Sequence, residues 1–338
     1  MEKAQDIFNI KTEADFLSKS LEVFHYQYHN VEVYRKFVDY LGTDIGNVKS
    51  IEQIPFLPIE MYKKHQILDK NKEALHYFQS SGTTNIQSLS RHYIADFSLY
   101  EQSIYESFSR FIGRPEDYIF LGLLPNYLEN QHSSLIYMID FLMKKSNKPQ
   151  NGYFLYNHKE LLDLLVQLKD KKVILFGVSF ALLDFLDFCE VQSQRLELSP
   201  ETIVIETGGM KGRKTEMTKD ELLEIFQKGF GTSQIFSEYS MTELLSQAYS
   251  LGQNIYETPS WMRILIRNID NPLGYVEAGR TGAVNIIDLA NRHSCSFIAT
   301  QDLGRLLPLN NTDLAHRPFQ ILGRIDHSDI RGCSLLVS

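Results

Sequence analysis

Apolar and aromatic residues recur at helical spacing through the first fifty positions: Phe16, Leu21, Phe24 and Tyr28, then Val31, Tyr34, Phe37 and Leu41. Intervals of three, four and five residues put these side chains on one face of a helix, so the spacing predicts a helical amino-terminal segment that stops at Gly42. IPFLPIEMYKK then reads as extended, because Pro55 and Pro58 push their predecessors out of the helical region.

From Leu75 onward, strand-like and helical patterns alternate. ALHYF and SRHYI flank a run of small polar residues, and a helix follows that Asp96 caps and Gly113 ends. DYIFLGLLP is a strand, Ser134 to Lys144 a helix, KELLDLLVQLKD an amphipathic helix, VILFG a buried strand and FALLDFLDFC a helix. TIVIETGG is a further strand. TKDELLEIFQKGFG opens on a capping box, Thr218 with Glu221, and closes at Gly229. SQIFSEYS reads as strand and TELLSQAY as helix.

The alternation implies an α/β fold with parallel-rich sheets flanked by helices. After about Pro259 the texture changes to short strands with Gly-containing turns: WMRILIRNI, TGAVNIIDLA and CSFIATQDLGRLLPL. The expected organisation is a helical segment (1–50), an α/β body (51–258) and a small β subdomain with a tail (259–338).

Charge and cysteine content narrow the function. With 34 basic and 42 acidic residues the net charge is -8, which argues against a nucleic-acid binder. Three scattered cysteines, Cys189, Cys295 and Cys333, build neither a disulfide framework nor a zinc site, and a reducing cytoplasm is the expected compartment. The amino terminus lacks the apolar core of a signal peptide. No apolar run reaches the length of a membrane span. The ten histidines form no HExxH pattern.

Ser80-Ser81-Gly82-Thr83-Thr84 concentrates four hydroxyls and one glycine after a strand. Gly82 permits a positive φ, and consecutive amides can cradle an anion. Taken alone the run is equally a polar turn. It is not a Walker loop, since no GK[ST] follows. GVSFA, from Gly177 to Ala181, partly mimics a nucleophile elbow with Ser179 as nucleophile, and Asp288 with His293 or His327 would complete a hydrolase triad. Ser179 and Phe180 read better as pocket wall.

SSGTT (80–84), SEYSMTE (237–243), IATQDLGR (298–305) and ILGRIDHSDIRG (321–332) occur in the order seen in adenylate-forming enzymes, which the chain resembles. The finer resemblance is to their short branch, the acyl-protein synthetases of bacterial bioluminescence, in which IPFLPIEMYKK, GVSFALLD, TGGMKGRK and LGRIDHSDIRGCS also look familiar.

The resemblance implies that Ser80, Ser81, Gly82, Thr83 and Thr84 hold the ATP β- and γ-phosphates. Tyr239 would stack on adenine, and Gly208 and Gly209 would let the backbone approach it. Thr242 would bond the α-phosphate and Glu243 would hold Mg²⁺. Asp302 would accept from the ribose hydroxyls, and Arg324 would donate to ribose or phosphate. Individually each has a plain structural alternative: a half-buried strand aromatic, a first-turn acid, a surface ion pair.

Two departures qualify the resemblance. Asn85-Ile86-Gln87-Ser88 stands where the family has a glycine and then a lysine, with Arg91 and Lys211 as candidate substitutes. The chain also ends shortly after IRG, where most adenylate-forming enzymes continue into a lid domain that delivers a lysine; the acyl-protein branch lacks that lid. Cys333 matches the family's acyl-accepting cysteine, and Arg331 and His327 stand near it in sequence.

The expected reaction is ATP-dependent activation of a carboxylic acid, fatty by resemblance, to acyl-AMP, followed by transfer to a protein thiol. A reductase acceptor and a thioesterase donor are the partners that the resemblance suggests. A CoA or carrier-protein ligase and a non-catalytic nucleotide-binding scaffold are the alternatives.

Overall fold

A computed structural model describes residues 4–80, 89–124, 131–193, 196–208, 217–308 and 318–325. Helix α1 (Glu13–Asn30) starts at a capping box in which Thr12 and Asp15 exchange side-chain-to-backbone bonds, and α2 (Glu32–Tyr40) follows. Gly42, at φ +66°, lies just beyond, as the sequence predicts.

A twelve-stranded sheet carries both halves of the chain. Its parallel half comprises β4 (Ile119–Leu123), β5 (Gly152–Phe154), β6 (Val173–Val178), β7 (Thr202–Thr207) and β8 (Ile235–Tyr239), in the order β5-β4-β6-β7-β8. Strands β4 and β6 are buried at every position, as parallel strands covered on both faces must be. Helices α4 (Phe97–Phe111) and α5 (Ser134–Ser146) pack on each other, and α5 contacts β4. Helix α6 (His158–Gln167) precedes β6. Helices α7 (Ser179–Val191) and α8 (Lys219–Phe230) pack on each other and against β6, β7 and β8. Asp96 caps α4 through Ser98 N at 2.8 Å, and the Thr218–Glu221 capping box starts α8.

The antiparallel half continues from β8 through β9 (Ala248–Ser250), β10 (Tyr256–Glu257), β14 (Phe319–Arg324), β13 (Phe297–Leu306) and β12 (Gly282–Asp288) to β11 (Met262–Arg267). Strand β1 (Leu57–Pro58) pairs parallel with β13. The hairpin of β2 (His76–Gln79) and β3 (Arg91–Ile94) forms a separate two-stranded sheet, and Ser80, the first residue of the hydroxyl run, directly follows β2.

Three local expectations need correction. TELLSQAY is not a helix: residues 242–247 turn and lead into β9. The Asp288 carboxylate takes the amides of Leu245 and Ser246 at 2.8 and 3.0 Å, so those donors do not join a helical ladder. Helix α8 runs past Gly229 to a left-handed cap at Gly231, φ +62°. A Cβ on Gly229 would come within 2.5 Å of Leu186, so that glycine serves α7–α8 packing rather than termination. MYKK is not extended but forms one helical turn, α3 (Met61–Lys64).

The amino-terminal helices are pinned to the antiparallel half. Arg263 forks onto both Glu13 carboxylate oxygens at 2.8 Å and lies 4.3 Å over the Phe16 ring. Gln27 Nε2 donates to Asn291 O at 2.9 Å and to Ser296 Oγ at 3.1 Å. That anchor fixes the 291–296 loop, which reaches the site described next.

Candidate functional site

The far end of β8 presents Tyr239. Its phenol donates to Asp302 Oδ2 on β13 at 2.7 Å, and its ring meets Tyr256 of β10 and Phe319 of β14 edge-on, each at 5.9 Å. Burial, followed by the Asp302 charge, holds the Tyr239 phenol well above its ordinary range, so it is a neutral donor. Asp302 and Arg324 are cross-strand partners in the β13–β14 register, with Arg324 Nε 3.3 Å from Asp302 Oδ1. Each carboxylate oxygen keeps lone-pair capacity for a ligand hydroxyl. The Arg324 side chain is 80% exposed and therefore able to reorient.

The stem of the hydroxyl run meets the motif turn after β8. Ser80 N donates to Ser90 O at 3.1 Å, and Ser90 N donates to Ser80 Oγ at 3.0 Å. The Ser90 side chain lies near the Glu243 carboxylate and favours its charged form. Glu243 is buried, and burial raises its pKa; the nearby Ser90 side chain and the Arg324 charge work against that shift, while the Asp302 charge adds to it. A cation placed there would relieve a poorly compensated carboxylate, and Mg²⁺ is commonly held by one or two carboxylates plus substrate phosphates. Glu243 therefore fits such an ion.

Gly208 ends β7 at φ +74°, one residue beyond the Thr207–Glu238 register pair, which puts it beside Tyr239. A Cβ there would meet nothing closer than Val178 Cγ1 at 3.9 Å. Backbone conformation rather than crowding thus requires the glycine. Thr242 lies partly buried in the turn between Tyr239 and Glu243.

Under this surface lies a buried polar layer that sequence reasoning missed. Ser179 Oγ donates to Glu206 Oε2 at 2.8 Å, and Lys219 pairs with Glu206 Oε1. Thr207 donates to Glu238, whose pKa burial pushes up to about 7. The Lys219 charge acts on Tyr256, whose ring stacks on Phe319 at 5.4 Å, so the layer adjoins the aromatic wall around Tyr239. The triad reading fails here. Ser179 serves Glu206, whereas Asp288 is committed to Leu245, Ser246 and Ala290.

Ser80, Gly208, Tyr239, Thr242, Glu243, Asp302 and Arg324 are thus brought to one end of the sheet. Ser81, Gly82, Thr83, Thr84, Gly209, Lys211 and Cys333 lie outside the described residues. Arg91 sits exposed at the start of β3, with its guanidinium 5.3 Å over the Tyr77 ring. Burial pushes the thiols of Cys189 and Cys295 up to about 11 and about 12, so neither is a ready nucleophile. Among the described residues no helix is long and apolar enough to cross a membrane.

The chain is similar to known proteins in both sequence and fold. It is 22% identical over 345 residues to the long-chain-fatty-acid--luciferin-component ligase of Vibrio harveyi, covering 93% of this chain and 85% of that protein. Its fold is that of adenylate-forming ligases. It superposes on an open conformation of 2-hydroxyisobutyryl-CoA ligase in complex with 2-HIB-AMP and CoA with a TM-score of 0.69 at 13% identity, over 94% of this chain and 72% of that one. On ATP-bound MatB from Rhodopseudomonas palustris the TM-score is 0.52 at 13% identity, over 75% of this chain and 48% of that one. The family model described as "Acyl-protein synthetase, LuxE" matches residues 133–338, and the chain belongs to that family of ligases.

Proposed function

We propose that this chain uses ATP to convert a long-chain fatty acid to its acyl adenylate and passes the acyl group to a protein thiol. The observation that carries the reading is the meeting of the Tyr239–Asp302–Arg324 group with Glu243 and the Ser80–Ser90 pair, from segments far apart in sequence. The likeness to the Vibrio harveyi ligase supports a fatty substrate.

In the first half-reaction a carboxylate oxygen attacks the α-phosphorus. A new P–O bond forms, the bond to the β-phosphate bridging oxygen breaks, and pyrophosphate leaves. Both reactants are anionic, so catalysis depends on fixed donors and charge neutralisation. Ser80 to Thr84 would take the β- and γ-phosphates, and Thr242 would donate to the α-phosphate. Tyr239 would stack on adenine, with Gly208 and Gly209 giving close backbone approach. Asp302 would accept from the ribose hydroxyls and Arg324 would donate to ribose or phosphate. Lys211 and Arg91 would supply positive charge near the triphosphate. Mg²⁺, held by Glu243 together with nucleotide oxygens, would neutralise charge on the phosphates.

In the second half-reaction a thiolate attacks the acyl carbonyl and AMP leaves, giving a thioester. Cys333 would be that thiol, since the other two cysteines are buried and hard to ionise. A reductase would receive the acyl group and a thioesterase would supply the acid, in a reducing cytoplasm. Trapping tests the reading. Chain, ATP, Mg²⁺ and myristate with hydroxylamine should yield the fatty hydroxamate and AMP in equal amounts. Release of ADP, or AMP formation independent of the acid, would contradict it.

A further inference from the structure

Thr242 and Glu243 sit in a turn whose local backbone bond is Leu244 N to Met241 O at 3.0 Å. Their carbonyl oxygens are both taken by side chains from distant segments. His92 Nδ1 lies 2.9 Å from Thr242 O, and Asn291 Nδ2 donates to Glu243 O at 2.7 Å. Both side chains are fully enclosed, with His92 1% and Asn291 0% exposed.

A carbonyl only accepts, so His92 carries its proton on Nδ1. Its Nε2 is then the acceptor for Ser294 Oγ, 2.9 Å away. Asp288 holds the far side of the same turn through Leu245 N, Ser246 N and Ser246 Oγ. Segment 90–92 therefore meets the motif at His92, which bonds the Thr242 carbonyl.

We propose that His92 and Asn291 are positioning residues for acyl-adenylate formation. They fix the Thr242 and Glu243 peptide planes so that the Thr242 hydroxyl and the Glu243 carboxylate keep one geometry relative to the α-phosphate. Neither touches a reacting atom. The inference rests on the adenylation reading above. A side chain that merely satisfied a buried carbonyl would affect stability, whereas a positioning residue affects kcat at nearly constant KM.

The test compares His92→Asn with His92→Gln in acyl-adenylate formation, with melting temperature and folded fraction measured on the same preparations. The Asn amide nitrogen takes the place of Nδ1 and keeps the Thr242 bond; the Gln amide takes the place of Nε2 and reaches only Ser294. His92→Gln should lower kcat about 10–100-fold with KM for ATP moved less than about 3-fold, and His92→Asn should stay within about 3-fold of the parent. Equal kcat in the two variants, or kcat that simply follows melting temperature, would overturn the inference. Should the His92 variants not fold, Asn291→Ala is read the same way: lower kcat at constant KM supports the inference and unchanged kcat overturns it. A parent chain that forms no acyl adenylate removes the adenylation reading and this inference together. An active parent with indistinguishable variants removes the inference alone.

Discussion

Tyr239 donates to Asp302 Oδ2 at 2.7 Å across a separation of 63 residues. Their strands, β8 and β13, are four steps apart in the sheet, with β9, β10 and β14 between. At about 4.8 Å per step a flat sheet would hold the strands roughly 19 Å apart. The contact therefore requires a sheet that curls sharply. The short β9 and β10 and the register shift between Leu303 and Gly304 stand where the curl is needed. The fold itself brings the SEYSMTE and TQD segments to one pocket.

Asp302→Ala removes the acceptor proposed for the ribose. KM for ATP should rise about 10–100-fold, as expected for losing bonds to a charged group of roughly 1.5–3 kcal/mol, with kcat changed less. Tyr239→Phe keeps the ring and should raise KM only a few-fold. Initial rates at varied ATP distinguish the two.

Glu243→Gln separates function from stability. Burial disfavours the ionised Glu243, so the neutral amide should melt higher than the parent at pH 8. Acyl-adenylate formation should nevertheless fall about 10²–10³-fold, the usual scale for losing a charge-stabilising group. A variant that is both less stable and equally active would contradict the assignment.

Glu238→Gln should act on stability through pH. Glu238 rises from its ordinary 4.5 to about 7 in the fold. Its contribution is full below pH 4.5 and is lost as the pH rises through 7. Variant and parent should therefore unfold alike at pH 4.5. Above pH 7 the variant should be more stable by up to about 3 kcal/mol. Denaturant melts at both pH values measure the gap.

His92 has the opposite sign. Burial lowers it from 6.5 to about 4, so its contribution is full above pH 6.5 and is lost as the pH falls through 4. His92→Asn, which cannot protonate, should show a shallower decline in stability between pH 6.5 and 4, by up to about 3 kcal/mol.

Cys333→Ser should still form acyl-AMP but carry no hydroxylamine-labile thioester after incubation with radiolabelled myristate and ATP. Persistent thioester on the variant would assign the acceptor elsewhere.

The long periodic elements were legible because their signals are local. The Thr218–Glu221 capping box and the uninterrupted VILFG run need no partner to be read. TELLSQAY misled because its apolar spacing is helical while its amides belong to Asp288, more than forty residues away. The site divides along the same line. Tyr239, Glu243, Asp302 and Arg324 were found through ordered motifs, each carrying its own sequence context. His92 and Asn291 were missed because what defines them is a carbonyl 150 and 48 residues distant. The alternation in SRHYI, with Arg91 exposed and His92 buried, was the one local hint.

The central claim is that these segments converge on one nucleotide and activate a carboxylate. Exchange of labelled pyrophosphate into ATP, with and without added fatty acid, reads that step alone and needs no acyl acceptor. The account predicts exchange that appears with long-chain acid and is lost in Glu243→Gln. Exchange absent at every chain length, in folded protein with saturating Mg²⁺ and ATP, would contradict it.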